Sequence, residues 1–312
     1  METERIIGRY VGEDPGPLLL CTAALHGNEM AGYHALKEVF HLLEIEKEKN
    51  PAFRFRGELV GLAGNLQAIG KGIRYIEQDM NRMWTAEQMA QVRTTPRHLL
   101  RNERLELRDL IETIDQVISD HPVSSVVVMD IHTTTAEGGI FCIATEDPES
   151  IRIASELHAP VILGMLTGIQ GTTMHYFKPV HFNRDITSFV FEAGQHNDPL
   201  SINRSISAIV ACLRGIGMVN MDDVETKHDE ILKTYSERLP RVAELIQAYQ
   251  ISDEESFNIL PGFRNFDKIE KGQVIAYERG HPLKAIEDSL ILMPRYQPLG
   301  DDGYFLLRVL ID

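Results

Sequence analysis

The sequence is poor in cysteine, in tryptophan and in long apolar runs, and it has no surplus of positive charge. Its three cysteines, Cys21, Cys142 and Cys212, are scattered through 312 residues with no paired spacing. An odd, dispersed set excludes a disulfide framework and a cysteine-built zinc module, and predicts reduced, buried thiols in a cytoplasmic protein. No stretch approaches the roughly 20 apolar residues of a membrane span, so no membrane partner is expected. Met1-Glu2-Thr3-Glu4-Arg5 opens on charge rather than on the apolar segment of a signal peptide. Acidic residues outnumber basic ones 46 to 31, for a formal charge of -15. That excludes a nucleic-acid backbone as the expected partner, since phosphates would be repelled. A small anionic substrate stays open, because a few local arginines outweigh a distant field.

Low-complexity tracts and internal repeats are missing as well. Gly168-Ile169-Gln170-Gly171-Thr172-Thr173 lacks the lysine of a phosphate-binding loop, and Gly215-Ile216-Gly217 follows no strand, so neither reads as a nucleotide site. Asn203-Arg204-Ser205 fits a glycosylation sequon that a cytoplasmic chain would not use.

What is present suits a globular chain with a sizeable core: 43% hydrophobic and 25% charged residues. Leu18 to Leu25 is an apolar run behind Pro15-Gly16-Pro17 and reads as a buried strand ending at His26-Gly27. Leu36, Val39, Phe40 and Leu43 then recur at helical spacing, with a start near Glu29 or Met30. Gly57 to Leu62, Ser125 to Ile131, Ile140 to Ala144, Val161 to Leu163 and Phe189 to Phe191 are further strands. Leu107 to Ile118 and Ile206 to Leu213 carry helical stripes, the second ended by Gly215. Alternating strands and helices predict an α/β domain over residues 1–220, with a largely parallel sheet flanked by helices. Residues 221–250 are charged and helical in pattern, broken by Pro240, and predict a helical connector. Short strands between Gly and Pro turns predict a small all-β domain over 251–312.

Ligands of such sheets gather at the carboxyl ends of strands, where both His26 and His132 stand. In His26-Gly27-Asn28-Glu29, a histidine and a carboxylate three residues apart reach one ion if the backbone turns sharply, which Gly27 eases. His132, in Asp130-Ile131-His132, is placed to be a third ligand, with Asp130 orienting a histidine from behind. Two histidines and one glutamate leave a position for water, as in catalytic zinc sites. Each histidine taken alone reads first as a polar loop residue, and an isolated HxxE pattern favours that structural reading.

Five elements in order strengthen the case: His26-Gly27-Asn28-Glu29, the Asn65 segment, Arg74-Tyr75-Ile76-Glu77-Gln78-Asp79-Met80-Asn81-Arg82, Asp130-Ile131-His132, and Phe191-Glu192-Ala193-Gly194. Together they resemble the succinylglutamate desuccinylase/aspartoacylase family, a branch of the zinc carboxypeptidase superfamily. The resemblance implies a zinc-carboxypeptidase-like fold and one zinc per chain, held by His26, Glu29 and His132. It implies Glu192 as the general base that activates water, Arg74 as the group that stabilises the oxyanion, and Asn81 and Arg82 as the grip on a substrate carboxylate. The chemistry suits those residue types: Arg82 offers a planar fork to a carboxylate, and a guanidinium at the oxyanion favours the transition state.

Outside that context Asn81-Arg82 would read as a surface pair at a helix start, and Asp79 as a brace for an arginine. The family's further arginine before the glutamate is matched most nearly by Arg184, and its C-terminal tyrosine by Tyr304 or Tyr277; a loop arginine and core tyrosines are the competing readings. His175, His181 and His196 are placed to line a pocket without being ligands. The function these residues imply is hydrolysis of the amide of a small anionic N-acyl amino acid. Two alternatives stay open: a zinc carboxypeptidase or amidase acting on a small peptide, and a non-catalytic binding protein that keeps the metal. The sequence is compatible with a homo-oligomer and does not define the acyl group.

Overall fold

The structure, a computed structural model, describes residues 3–223 and 227–312. Residues 1–2 of the charged opening and 224–226 of the expected connector lie outside that set. In chain order the first half holds strands β1 (Ile6–Val11), β2 (Asp14–Ala23), β3 (Arg56–Ala63), β4 (Ser125–Thr134) and β5 (Phe141–Ala144). Between them run helices α1 (Ala31–Lys49), α2 (Leu66–Lys71), α3 (Ala86–Thr94) and α4 (Asn102–Asp120). Helix α5 (Pro148–Glu156), strand β6 (Val161–Leu163), the short helices α6 (Met165–Gly168) and α7 (Pro179–Phe182), strand β7 (Asp185–Gln195) and helix α8 (Leu200–Gly215) follow. The rest comprises helix α9 (Lys227–Ser236) and strands β8 (Val242–Gln250), β9 (Asn258–Ile259), β10 (Lys268–Ile269), β11 (Val274–Glu278), β12 (His281–Lys284), β13 (Ser289–Leu292) and β14 (Asp302–Ile311).

An 11-stranded mixed sheet runs β1-β3-β2-β4-β7-β5-β6-β8-β14-β13-β10. Its centre is parallel: β3 with β2, β2 with β4, and β4 with β7. Alternation along each strand divides the core between the two faces. Leu18, Leu20, Val126 and Val128 pack with the stripe of α4 on one side. Leu19, Cys21, Val127 and Met129 pack with α1 and α8 on the other. Helices thus cover both faces, which is why the central strands read as continuous apolar runs. All three cysteines are buried and unpaired, and among the described residues no helix is long and apolar enough to cross a membrane.

The C-terminal third corrects the helical connector expected over 221–250. Among the described residues there, a 3-10 turn at Met221–Asp223 and the α-helix Lys227–Ser236 are helical; beyond Pro240, Val242–Gln250 is a strand that pairs with β6 on one side and β14 on the other. A sheet edge needing a partner outweighs the weak helical pattern of this charged segment. Strands β14, β13 and β10 then extend the main sheet, and β12-β11-β9 form a second, three-stranded one. The continuation carries the β13–β14 loop to the carboxyl end of the central strands, where the site lies.

Candidate active site and metal centre

His26 and Glu29 sit between β2 and α1. Ala24, just past β2, takes a positive φ of 54°, a costly conformation for a residue with a Cβ, and it turns the chain sharply out of the strand. Gly27 is needed for a reason the spacing does not reveal. A Cβ there would lie 2.2 Å from the Ala68 carbonyl carbon, so glycine permits a close backbone approach to α2 rather than a left-handed turn. That packing also lets Gly27 N–H donate to Arg74 O at 3.1 Å, which joins the first motif to the arginine segment.

His132 and Glu192 stand opposite each other in the β4–β7 register, and Asp130 stands opposite Val190. All four face the α4 side of the sheet. His26 Nδ1 lies 2.7 Å from Glu29 Oε1, and His132 Nδ1 lies 2.9 Å from Glu29 Oε2. On their far sides, His26 Nε2 is 3.0 Å from Asp79 Oδ1, and His132 Nε2 is 3.1 Å from Asp130 Oδ2. Each imidazole is therefore held by a carboxylate at Nε2 and turns Nδ1 inward, the arrangement that fixes the tautomer of a metal-binding histidine. Asp130 is braced in turn by Thr22 Oγ1 and Thr173 Oγ1, both donating at 2.7 Å.

One ligand atom from each of His26, Glu29 and His132 lies within 4.8 Å of the others, and all three residues are buried. The surrounding charge also favours a cation. Glu29, Asp79 and Asp130 converge where Arg74 is the nearest compensating guanidinium. Burial opposes ionisation of Glu29, but the two histidines outweigh it and hold the carboxyl well below its ordinary range. Burial likewise opposes the charge on His132, yet Asp130 and Glu29 raise it well above the ordinary histidine value. Two imidazoles and a carboxylate in an acid-rich, enclosed setting fit a divalent metal of the zinc type.

The cluster opens on a cavity of ≈120 Å³ whose lining includes His26, Glu29, His132, Arg74, Asn81, Arg82 and Glu192. The structure thus brings together seven of the residues singled out from sequence. Burial raises the Glu192 carboxyl to about 8, and Glu192 Oε2 has no hydrogen-bond partner. Arg74 donates to Glu29 Oε1 at 3.3 Å and to Asp79 Oδ2 at 2.9 Å, so Asp79 does brace an arginine. Asn81 Oδ1 accepts from the Thr173 backbone and hydroxyl, both at 2.9 Å, which leaves its amide N–H groups for another acceptor. Arg82 pairs with Asp302 from the start of β14.

Arg184 and both candidate tyrosines are elsewhere. Arg184 stands eight residues before Glu192, about 26 Å back along a strand, and its Nη1 and Nη2 donate to Val123 O at 3.1 Å and Ser119 O at 3.4 Å. Tyr304 is 1% exposed and stacks on Tyr249 at 5.2 Å. Its neighbour Phe305 faces the cavity instead, as strand alternation requires. Tyr277 lies on β11 in the second sheet. Of the three histidines placed near the site, His175 and His181 are tied to the carbonyls of Leu166 and Tyr176. His196 does line the cavity, 2.6 Å from Thr133 Oγ1.

Sequence reading missed Glu103, at the start of α4. It is 1% exposed. Its carboxylate accepts from Asn65 Nδ2 at 3.0 Å and from the backbone N–H groups of Ile76, Glu77 and Gln78 at 2.6, 3.0 and 3.4 Å. Those bonds pin the segment that carries Arg74, Asp79, Asn81 and Arg82. The available signal was its position four residues before Leu107, on the apolar stripe of the helix, where an acid needs partners. Glu103→Gln leaves at least one of these N–H groups facing a donor, at a cost of about 1–3 kcal/mol. Its kcat/KM is expected to fall about 10- to 100-fold, with metal content unchanged. Full activity in the variant would show that the loop is held by other contacts.

A buried two-histidine, one-glutamate cluster beside a cavity with an acid and several arginines makes a candidate metal centre at the carboxyl end of an α/β sheet. The chain belongs to the succinylglutamate desuccinylase/aspartoacylase family: the model of that family's catalytic domain matches residues 15–208. It is similar to succinylglutamate desuccinylase of Pseudomonas putida strain GB-1, with 26% identity over 295 residues, 89% of this chain and 78% of the relative. The fold is shared with the crystal structure of succinylglutamate desuccinylase from Chromobacterium violaceum, at TM-score 0.64 and 16% identity over 98% of this chain and 94% of that one. It is also shared with a mutant of murine aminoacylase 3, at TM-score 0.59 and 13% identity over 95% of each chain.

Proposed function

We propose that this chain is a zinc-dependent hydrolase that cleaves the amide bond of a small N-acyl amino acid. The observation that carries the reading is the opening of His26, Glu29, His132, Arg74, Asn81, Arg82 and Glu192 onto one small cavity. Zinc held by His26, Glu29 and His132 would supply Lewis acidity toward the amide carbonyl and lower the pKa of water. Glu192, a buried carboxyl with one oxygen free, would be drawn toward its ionised form by a divalent cation held at His26, Glu29 and His132; as the carboxylate it takes the proton from the attacking water and returns it to the leaving amine. Arg74, immobilised by Glu29 and Asp79, presents a fixed positive charge to the developing oxyanion without reorganising. Arg82 and the free amide of Asn81 hold the carboxylate of the amino acid and so fix the bond between acyl group and amine. A cavity of ≈120 Å³ is small beside the roughly 300–1,000 Å³ of drug-sized sites, which favours a short substrate over a peptide. The three buried thiols suit a reducing, cytoplasmic setting.

The test is a panel of N-acetyl, N-succinyl and longer N-acyl amino acids and short peptides, assayed with metal analysis on the same sample. Turnover of acyl amino acids by zinc-loaded protein supports the reading. Activity confined to peptides would favour the carboxypeptidase alternative, and bound metal without any turnover would favour a binding protein.

The Arg82–Asp302 pair makes a separate forecast. Asp302 engages a guanidinium nitrogen that the substrate carboxylate would use, and its charge repels that carboxylate. Asp302→Asn is therefore expected to lower KM by about 3- to 10-fold, the scale of one partly exposed charge contact. A higher KM in the variant would show that Asp302 orients Arg82 rather than competing for it.

A further inference from the structure

Strand β7 departs from regular pairing directly after Glu192. Where β4 advances two residues, from His132 to Thr134, β7 advances three, from Glu192 to Gln195. The extra residue makes a bulge, which re-aims the side chains beside it. Gly194 takes a φ of 92° there. The direction of the Glu192 carboxyl therefore depends on what holds this bulge.

Arg204 of α8 holds it, from the face of the sheet opposite the metal cluster, where Ala193 packs with Ala208. Arg204 Nη1 donates to Ala193 O at 3.2 Å. A Cβ on Gly194 would lie 2.4 Å from the same Nη1, so the guanidinium sits directly against the bulge. Its Nη2 donates to Asp198 Oδ2 at 2.6 Å, and Asp198 Oδ1 accepts from the Leu200 N–H at 3.0 Å at the start of α8. The guanidinium carbon lies 3.6 Å from the ring centre of Tyr235 on α9. Ser201, one turn before Arg204, adds a bond from its hydroxyl to Gln195 O at 2.7 Å. Arg204 is 5% exposed, and with Asp198 and Tyr235 it borders a depression separate from the cavity at the metal centre. Burying a guanidinium is costly. Its planar fork, however, ties a strand carbonyl, a helix-start carboxylate and an aromatic face into one fixed geometry, which an apolar side chain cannot do.

We propose that Arg204 is a positioning residue for Glu192: by clamping the Ala193–Gly194 bulge from behind the sheet, it holds the Glu192 carboxyl where it meets the attacking water. The proposal rests on reading Glu192 as the general base of a hydrolase. Such a base must lie within about 3 Å of the proton it takes, and a misplacement of about 1 Å costs on the order of 100-fold. Arg204 touches no substrate, so its effect belongs to kcat rather than KM. Tyr235 covers the clamp and makes α9 part of it.

The experiment is a double-mutant cycle. Zinc-loaded wild type, Arg204→Met, Glu192→Gln and the double variant are assayed for kcat and KM on the best substrate of the panel. Arg204→Met is expected to lower kcat about 30-fold with KM within about threefold of wild type. Arg204→Lys, which keeps a charged donor, should recover part of the loss. In the Glu192→Gln background the Arg204→Met substitution should change kcat by less than about threefold, because the group it positions is gone. Loss of folded protein would appear equally in both backgrounds and cancels from the comparison. Equal losses in both backgrounds, or an Arg204→Met enzyme with wild-type kcat, overturn the proposal. Tyr235→Leu makes the same comparison with the guanidinium in place, and it decides if Arg204→Met does not fold. A loss of about fivefold that vanishes in the Glu192→Gln background supports the clamp, and no loss, or one present in both backgrounds, overturns it. If wild type turns over no substrate, the hydrolase reading is what has failed, and crystal structures decide on Arg204 alone. A Glu192 carboxyl displaced by about 1 Å or more in Arg204→Met supports the clamp, and one left in place overturns it.

Discussion

Glu192→Gln is expected to lower kcat by about a thousandfold while leaving the protein at least as stable as before. The two effects share one cause. Glu192 lies on a central strand between Phe191 and Ala193, it is 6% exposed, and its Oε2 has no partner. Burial is the main reason its carboxyl rises to about 8, with Glu29 and Asp130 adding to the rise and His132 and Arg74 opposing it. A carboxyl that must stay protonated well above its ordinary range weakens the fold at neutral pH, and glutamine of the same shape removes that cost without opening a cavity. Glutamine, however, cannot accept the proton of the attacking water, and a positioned general base contributes about 10²- to 10⁴-fold. Glu192→Asp keeps the acid but withdraws it by one methylene, so its loss should be intermediate, on the order of 100-fold. The measurements are kcat on the best substrate of the panel and the melting temperature of the metal-free variants. A Glu192→Gln enzyme within a few-fold of wild type would remove Glu192 from the mechanism. A clear fall in melting temperature would mean the carboxylate serves the fold.

The parts of the site that could be read from sequence lie at the ends of buried parallel strands. His26 and His132 follow apolar runs that can only be central strands, so their side of the sheet was decided by chain direction. Glu192 was legible for a related reason: an acid in an apolar strand needs a purpose. What escaped depends on approach in space. Arg295 and Asp302 reach the cavity only because β8 joins the sheet, and β8 was hidden in a charged segment with a helical pattern. Arg184 misled because proximity in sequence to Glu192 means distance along an extended strand. Tyr304 misled by one residue, since alternation gives the cavity to Phe305. The sequence offers Gly27 as an aid to a sharp turn, whereas its place is set by a close backbone approach to Ala68, which leaves no trace in local spacing. Glu103 left a faint trace, as an acid on the apolar stripe of α4.

Removing the metal should abolish turnover and lower the melting temperature by on the order of 10 °C, without unfolding the chain at room temperature. The first two effects follow from mass action. A metal present at about a thousandfold over its dissociation constant stabilises the folded state by about 4 kcal/mol, and each kcal/mol shifts the melting point of a domain this size by roughly 2–4 °C. The third follows from how the cluster closes on itself. Asp79 and Asp130 hold the far nitrogens of the two imidazoles at 3.0 and 3.1 Å, and Arg74 donates to Glu29 Oε1 at 3.3 Å, none of which involves the metal. The Thr133 N–H also donates to Glu29 Oε2 at 3.0 Å. No buried carboxylate of the cluster is orphaned, and apolar layers on both faces of the sheet hold the domain independently of it. That separates this centre from structural zinc, whose loss unfolds small domains. His132→Ala should behave worse than chelation, because it removes the metal site and also takes a partner from both Asp130 and Glu29, a change worth about 3–5 kcal/mol when a buried pair is broken. Differential scanning calorimetry with chelator, with zinc restored, and on His132→Ala checks the order. Chelation that changes neither activity nor melting temperature would show that His26, Glu29 and His132 form only a buried ion cluster. Unfolding on chelation at room temperature would make the metal part of the scaffold.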